Sequence, residues 1–289
     1  MFQVNRKLLK NFEKLILFFL KIINIFKKKN SIRILVYHHI KKENIQKFEN
    51  QILMLKKEWN FITPDEFENH ILEKKKLIGK NLLLTFDDGF KSNFFVAKEV
   101  LEKLNIKAIF FVPSDFVQIK FQDEAISFAK KNILDETTSD DLNNIDNLSL
   151  YDLKQLIERG HKIGCHTKTH AHLGSINDEE NLKIEIKESM ENLEKLLNKK
   201  IKHFAFTYGN YKSMNFNSLK IAFLNYNFIY SCLRGNNFYN DKDSIIKRDT
   251  IYLDESNDLM QIFLFGFLDI KYSSSVNKIN KIIMKILNN

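Results

Sequence analysis

Short apolar runs alternate along the chain with segments whose apolar residues recur every three or four positions. The runs predict buried strands at 31–37, 61–62, 81–86, 106–112, 201–206 and 228–232. The periodic segments predict helices at 44–59, from the Thr63-Pro64-Asp65 cap onward, and at 90–104, 149–159, 175–198, 219–224, 259–268 and 276–287. This alternation predicts parallel β/α units that build one α/β barrel-like domain.

The pattern weakens between residues 114 and 148. Within this stretch, residues 135–147 are polar and acidic and predict an inserted loop. Loops of a barrel commonly shape the substrate groove at the carboxyl ends of the strands. The insertion could form a wall of this groove or lie on the surface without a role in binding, and the sequence favours neither alternative.

The first thirty residues differ from the rest of the chain. Eight Lys and Arg stand there against Glu13 alone, so this segment carries +7 of the formal net charge of +9. Apolar residues at three- and four-residue spacing predict an amphipathic helix: Leu8, Leu9, Phe12, Leu15, Ile16, Phe19, Ile22, Ile23 and Phe26. The longest uninterrupted apolar run, at 15–20, is far too short to span a bilayer, which takes about 20 residues.

We therefore expect residues 1–30 to lie on an anionic membrane surface, with Lys27, Lys28 and Lys29 toward the headgroups. Packing of this helix on the domain or on a partner is one alternative, and an uncleaved signal anchor is another. The remaining body is nearly neutral and has no zinc-finger or helix-turn-helix pattern, so no nucleic-acid partner is indicated.

The chain is long enough for one catalytic domain. Its 289 residues and 44% hydrophobic content suffice for a full core. We divide it into the N-terminal helix at 1–30, a catalytic domain at 31–272 and a C-terminal helix at 273–289. Cys165 and Cys232 are too few for a disulfide framework and do not indicate a compartment.

Two adjacent carboxylates, Asp87 and Asp88, end the apolar strand in the segment NLLLTFDDGF at 81–90. Neighbouring carboxylates repel each other and are costly to bury unless a cation or a proton lies between them. A metal ion is the simplest solution. The alternative is that one Asp caps the following helix while the other is solvated.

Two histidines some eighty residues later complete a candidate metal site. His166 and His170 are four residues apart, and four of the chain's eight His fall within residues 161–172. Two neutral imidazoles and one carboxylate make the three-ligand arrangement of catalytic zinc, which leaves one position for water. We interpret His70, His161, His172 and His203 as hydrogen-bonded core or surface histidines.

These residues resemble a known family. Thr85-Phe86-Asp87-Asp88-Gly89 and His166-Thr167-Lys168-Thr169-His170 look like the first two motifs of the polysaccharide deacetylases, the NodB-homology family of carbohydrate esterases. The segment FAFTYG at 204–209 is similar to the third motif, with Thr207 where Pro is usual. The resemblance covers residues 33–252 and implies a distorted (β/α) barrel of the NodB-homology type.

The resemblance also implies residue roles. Asp88, His166 and His170 would hold a divalent metal, most simply zinc, and Asp87 would be the base. A metal-bound water would attack the acetamide of an N-acetylated glycan, and the backbone N–H of Tyr208 would stabilise the oxyanion. The family's third motif often carries an Arg that orients the base, but Ala205 stands there in this chain. We assign that charge to Arg248, with an ordinary surface ion pair as the alternative.

The expected proton donor is missing from its usual place. The family draws the proton for the leaving amine from a C-terminal Leu-x-His motif, but no histidine follows His203. The Tyr37-His38 pair resembles the circularly permuted deacetylases of biofilm poly-N-acetylglucosamine, in which such a pair provides the acid. We assign His38 as general acid, because strand alternation points His39 away. A purely structural histidine at the strand end is the alternative.

The sequence thus predicts a metal-dependent N-deacetylase that acts on a cell-surface polysaccharide or its lipid-linked precursor. We expect a bacterial peripheral membrane protein at the cytoplasmic face, with secretion or periplasmic anchoring as the alternative. The competing class is a catalytically inactive esterase fold that binds glycan or assists assembly at a membrane. The intact Asp87, Asp88, His166 and His170 argue against that class.

Overall fold

The computed structural model describes residues 30–134, 145–239, 241 and 243–288. The predicted N-terminal helix therefore lies outside the described residues, and so does most of the predicted acidic loop. Among the helices that are described, none is long and apolar enough to cross a bilayer.

Eight parallel strands of the described chain form one curled sheet. Their order is β7-β6-β5-β4-β3-β1-β8, with β2 beside β3. The strands are β1 (Ser31–Tyr37), β2 (Asn60–Phe61), β3 (Lys80–Phe86), β4 (Ala108–Val112), β5 (Lys162–Cys165), β6 (His203–Ala205), β7 (Phe228–Tyr230) and β8 (Asp249–Thr250).

The segment that leads into β8 touches both edges of the sheet. Ile246 forms a parallel bridge to Tyr230 of β7, and Asp249 then pairs with Leu35 of β1. The parallel sheet thereby curls into a distorted (β/α) barrel, which confirms the predicted fold class. Because all its strands are parallel, their carboxyl ends meet at one rim.

Helices cover the outside of this sheet. They are α1 (Ile45–Leu55), α2 (Pro64–Ile71), α3 (Ser92–Val96), α4 (Gln122–Asn132), α5 (Leu150–Glu158), α6 (Glu179–Lys183), α7 (Ser189–Leu197), α8 (Phe216–Asn225), α9 (Asn257–Leu264) and α10 (Asp269–Leu287). A π-helical segment, Ala97–Leu101, continues α3, and a second one, Ile184–Glu188, joins α6 to α7. Thr63 caps α2 and Pro64 opens it, as predicted, and both Thr63 and Ser149 form capping boxes.

Side-chain alternation divides the core into two parts. Ile34 of β1 and Ile109 of β4 point into the barrel, whereas their neighbours Leu35 and Phe110 pack under the outer helices. The same alternation continues past the end of β1. It places His38 on the inward side and His39 on the side of the helices.

One helix was not predicted, and the last helix begins earlier than predicted. The insertion contains α4, which the sequence did not indicate, because only the small Ala125 and Ala129 of this helix are buried. These alanines pack with Phe90 and Phe116 in a separate small cluster. The last helix begins at Asp269 rather than at residue 276, since its first turns carry few buried side chains and Ile270 is 82% exposed.

Candidate active site

The carboxyl ends of four strands place most of the predicted site residues at the same rim. His38 follows β1, Asp87 and Asp88 follow β3, and His166 follows β5. Tyr208 lies in the turn after β6, and its ring is 5.4 Å from that of His170. The strand order therefore gathers side chains that are far apart in the sequence.

Asp88, His166 and His170 form a buried cluster whose potential ligand atoms all lie within 4.8 Å of one another. Asp88 Oδ1 is 3.5 Å from His166 Nε2 and 3.3 Å from His170 Nε2. Burial opposes ionisation of Asp88, but the imidazoles of His38, His166 and His170 outweigh burial and hold its pKa well below the usual value. The carboxylate is thus anionic and faces two ring nitrogens.

Each histidine of this cluster is oriented through its other ring nitrogen. Nδ1 of His166 lies 2.8 Å from the carbonyl oxygen of Ala205, and Nδ1 of His170 lies 2.8 Å from that of Asn132. A carbonyl oxygen only accepts hydrogen bonds, so both Nδ1 atoms carry a proton, and the two Nε2 atoms facing Asp88 are the ones that would offer lone pairs to a metal. A carboxylate and two imidazoles oriented in this way fit a divalent metal of the zinc type.

Asp87 is bound by Arg248 through two hydrogen bonds. Arg248 Nη1 donates to Oδ1 at 2.7 Å, and Nη2 donates to Oδ2 at 2.8 Å. Both side chains are almost completely buried, so the alternative of a surface ion pair is wrong. Burial would raise the pKa of Asp87, but Arg248 and then His166 outweigh it and lower the pKa. Asp87 is therefore an ionised carboxylate that can accept a proton.

The guanidinium of Arg248 is itself held in place. Its Nε donates to the carbonyl of Ser231 at 3.0 Å, and its Cζ lies over the Phe111 ring, 5.0 Å from the ring centroid. Arg248, in the segment before β8, therefore provides next to Asp87 the positive charge that Ala205 cannot provide. Removing one partner of such a buried pair strands the other charge, at a cost of about 3–5 kcal/mol.

The two histidines after β1 have different surroundings. His38 is exposed at the rim, and its imidazole is close enough to lower the pKa of both Asp87 and Asp88. His39 instead pairs through Nδ1 with the Ser92 hydroxyl at 2.9 Å. Burial lowers the pKa of His39, so a smaller fraction of its imidazole carries the proton that a general acid must supply.

The turn after β6 has an unusual backbone. Tyr208 has φ of 60° and Gly209 has φ of 58°. A Cβ at Gly209 would lie 2.4 Å from the Cys232 nitrogen, so only glycine fits there. Thr207 stands where the family usually has Pro, and its hydroxyl donates to the Ala171 carbonyl at 2.5 Å. This bond ties the turn to the segment that carries His170.

Left-handed backbone is concentrated at this rim. Among the described residues other than glycine, seven have positive φ, and four of them lie here: Asp88, Thr167, His170 and Tyr208. Such conformations cost about 1–3 kcal/mol each and persist only where surrounding contacts enforce them. The site is therefore a place where the fold holds the backbone in a strained conformation.

Sequence reasoning missed two groups that contact the histidine segment. One is the carbonyl of Asn132 at the end of α4, 38 residues before His170. The other is Glu185, whose carboxylate binds the backbone between the two histidines. Neither position belongs to a motif, and a backbone carbonyl leaves no trace in the residue type.

The curled parallel sheet, with its candidate site at the rim of the carboxyl ends, has the fold of the NodB-homology carbohydrate esterases. The chain belongs to the polysaccharide deacetylase family, whose model matches residues 74–223, just over half of the sequence. It is accordingly a glycan N-deacetylase, as the motifs predicted. The comparison with curated protein sequences gave no match.

Solved structures share the fold at low sequence identity. The Streptococcus pyogenes deacetylase PplD, in complex with acetate, is 24% identical, with a TM-score of 0.62 over 81% of this chain and 98% of its own. IcaB from Ammonifex degensii is 19% identical, with a TM-score of 0.64 over 82% and 97%. A de-N-acetylase from Aggregatibacter actinomycetemcomitans is 14% identical, with a TM-score of 0.61 over 81% and 100%.

Proposed function

We propose that this deacetylase is metal-dependent and that Asp88, His166 and His170 hold the metal, with zinc as the best fit. The observation that carries the proposal is the convergence of these three ligands within 4.8 Å beside a carboxylate that Arg248 keeps ionised. A divalent metal bound there would polarise the acetamide carbonyl and lower the pKa of a water molecule toward about 7.

The chain's own residues supply the proton transfers. Asp87 takes a proton from the attacking water, and Arg248 keeps its carboxylate oriented and anionic between proton transfers. General base catalysis of this kind contributes about 10² to 10⁴ in rate. The backbone N–H of Tyr208 stabilises the negative charge that develops on the acetamide oxygen, which is worth about 10² to 10³.

His38 gives the leaving amine its proton. Three observations support this role: its position after β1 at the rim, its inward place in the strand alternation, and its electrostatic effect on Asp87 and Asp88. The resemblance to the permuted deacetylases supports it as well. An inactive scaffold does not account for a base and three ligands that are all present and oriented.

The substrate that we propose is a cell-surface polysaccharide or its lipid-linked precursor. A cavity of about 530 Å³ follows His38 along the chain and is lined by His39, Lys41 and Phe95; we propose it as room for neighbouring sugars. The proposed location is a bacterial membrane, at its cytoplasmic face, reached through residues 1–30. The charge and the apolar stripe of that segment support this location.

The test of the function is release of acetate from a panel of N-acetylated glycans. We expect acetate from at least one glycan, loss of at least about 95% of the rate after dialysis against a chelator, and recovery on addition of zinc. The chelator-treated protein should remain folded by circular dichroism. Full activity after verified metal removal would refute metal dependence.

Deletion of residues 1–29 is expected to abolish sedimentation with anionic vesicles and to leave acetate release intact. Asn30 is kept, because its side chain accepts the N–H of Gly79 at 3.0 Å. Each basic residue near an anionic surface contributes about 1 kcal/mol, so the loss should exceed a hundredfold in partition coefficient. Neutral vesicles are the control, and a truncated protein that still sediments with anionic vesicles would contradict the assignment.

A further inference from the structure

Glu185 is a buried acidic residue that the proposed reaction does not use. It lies in the π-helical segment Ile184–Glu188, and it is only 9% exposed. Its side chain contacts Lys168 and Thr169 in the loop 167–170, which carries the second proposed histidine ligand. A buried carboxylate in such a place needs partners, because burial without hydrogen bonds is costly.

Three hydrogen bonds from this loop converge on the carboxylate. Oε2 accepts the backbone N–H groups of Lys168 at 3.0 Å and of Thr169 at 2.9 Å. Oε1 accepts the hydroxyl of Thr169 at 2.7 Å. Hydrogen bonds to an ionised acceptor are stronger than neutral ones, so Glu185 holds both residues at the centre of the loop.

The loop requires such a restraint. Thr167 has φ of 65° and His170 has φ of 68°, which residues with a Cβ rarely adopt. The two bonded N–H groups lie between these two residues. Releasing them would let the backbone return to commoner conformations and turn His170 away from Asp88.

The residue that follows the π-helical segment contacts the chain just before His166. Ser189 follows the segment directly, and its hydroxyl is 3.0 Å from Cys165 Sγ and 2.7 Å from the Glu185 carbonyl. Interruptions of this kind in helices recur at functional sites. Glu185 and Ser189 thus contact the chain on both sides of the first histidine ligand.

We propose that Glu185 is a positioning residue that sets the metal affinity of the site by fixing the loop between the two histidine ligands. This inference rests on the proposed metal function. In this proposal the π-helical segment contributes no metal ligand but orients the two histidines that do bind the metal.

The test is the zinc affinity of the full-length protein, measured by competition with a chromophoric chelator. Glu185→Ala is expected to weaken zinc binding by about tenfold or more, the range found for groups that orient ligands. Glu185→Gln should stay within about threefold of wild type. The amide oxygen can accept both N–H groups, and the amide nitrogen can donate to the Thr169 hydroxyl.

Two matched variants separate this role from a general loss of stability. Glu188→Ala removes an exposed carboxylate from the same π-helical segment. Glu68→Ala removes a buried carboxylate that is bonded to His203 and Lys162, outside the metal cluster. Both should bind zinc as wild type does, although Glu68→Ala should unfold at lower urea concentration because it loses a buried ion pair.

The outcomes are distinct. Wild-type affinity in folded Glu185→Ala would overturn the inference, and so would an equal loss in Glu68→Ala. If Glu185→Ala does not fold, Thr169→Val decides, because it removes one of the three bonds and should weaken zinc binding about threefold. Unchanged affinity in that variant would then refute the role. Failure of the wild type to bind any divalent metal would instead refute the proposed function.

Discussion

Alanine at Asp88, His166 or His170 is expected to abolish metal binding and acetate release together, whereas Asp87→Asn should keep the metal and lose rate. The first three variants each remove one of the three proposed ligands, and two ligands bind a divalent ion much more weakly than three. Asn at position 87 keeps the shape and one hydrogen bond to Arg248 but cannot take a proton. We expect its kcat to fall by about 10² to 10⁴.

Metal content after desalting and the rate of acetate release are the two measurements. His172→Ala is the control for metal content, because His172 lies two residues from His170 and pairs with Ser175 instead. Full activity of Asp87→Asn would show that the base is misassigned. Retained metal in all three alanine variants would show that the cluster is not the metal site.

Replacement of His38 by alanine is expected to lower kcat by about 10² to 10⁴ and to remove the alkaline limb of the pH–rate profile. The sign follows from the role. A general acid must carry its proton, so the rate of the wild type falls as pH rises through the titration of that acid. Without the acid, this fall disappears and a slow, flatter profile remains.

His39→Ala is the paired control. His39 pairs with Ser92 and packs on Phe90, so its loss should lower stability modestly and keep the alkaline limb. A substrate with a better leaving group should rescue His38→Ala more than the wild type, because it needs less protonation. If His38→Ala were as active as the wild type, the donor would have to be another group at the rim.

The alternation of strands and helices was readable where a strand is mostly an apolar run, as in β3 and β4, whereas the short strands β5 and β8 were not predicted. β1 was predicted at the bounds that the structure gives it, and the Asp-Asp pair was found because a buried strand rarely ends in two carboxylates. The helix α4 was missed because it buries two alanines rather than a stripe of large residues. Its carbonyl contact with His170 was therefore out of reach as well.

Arg248 shows where sequence reasoning stops. Because Ala205 stands where the family often has Arg, we inferred that Arg248, near a late strand, provides the charge. The pattern did not distinguish a surface ion pair from a buried one. The difference depends on β8 lying beside β1, which is a pairing between residues more than two hundred positions apart. Local periodicity carries no information about such a contact.

The pairing of β8 with β1 also affects the order in which the molecule assembles. Arg248 is 161 residues from Asp87, and the neighbouring Asp249 is 216 residues from its partner Arg33. Contacts between such distant residues form late, because a long loop must close before they are gained. During synthesis, the two acidic residues after β3 leave the ribosome well before the Arg that neutralises one of them. We therefore expect a nascent chain to stay inactive until residues beyond β8 have emerged and docked.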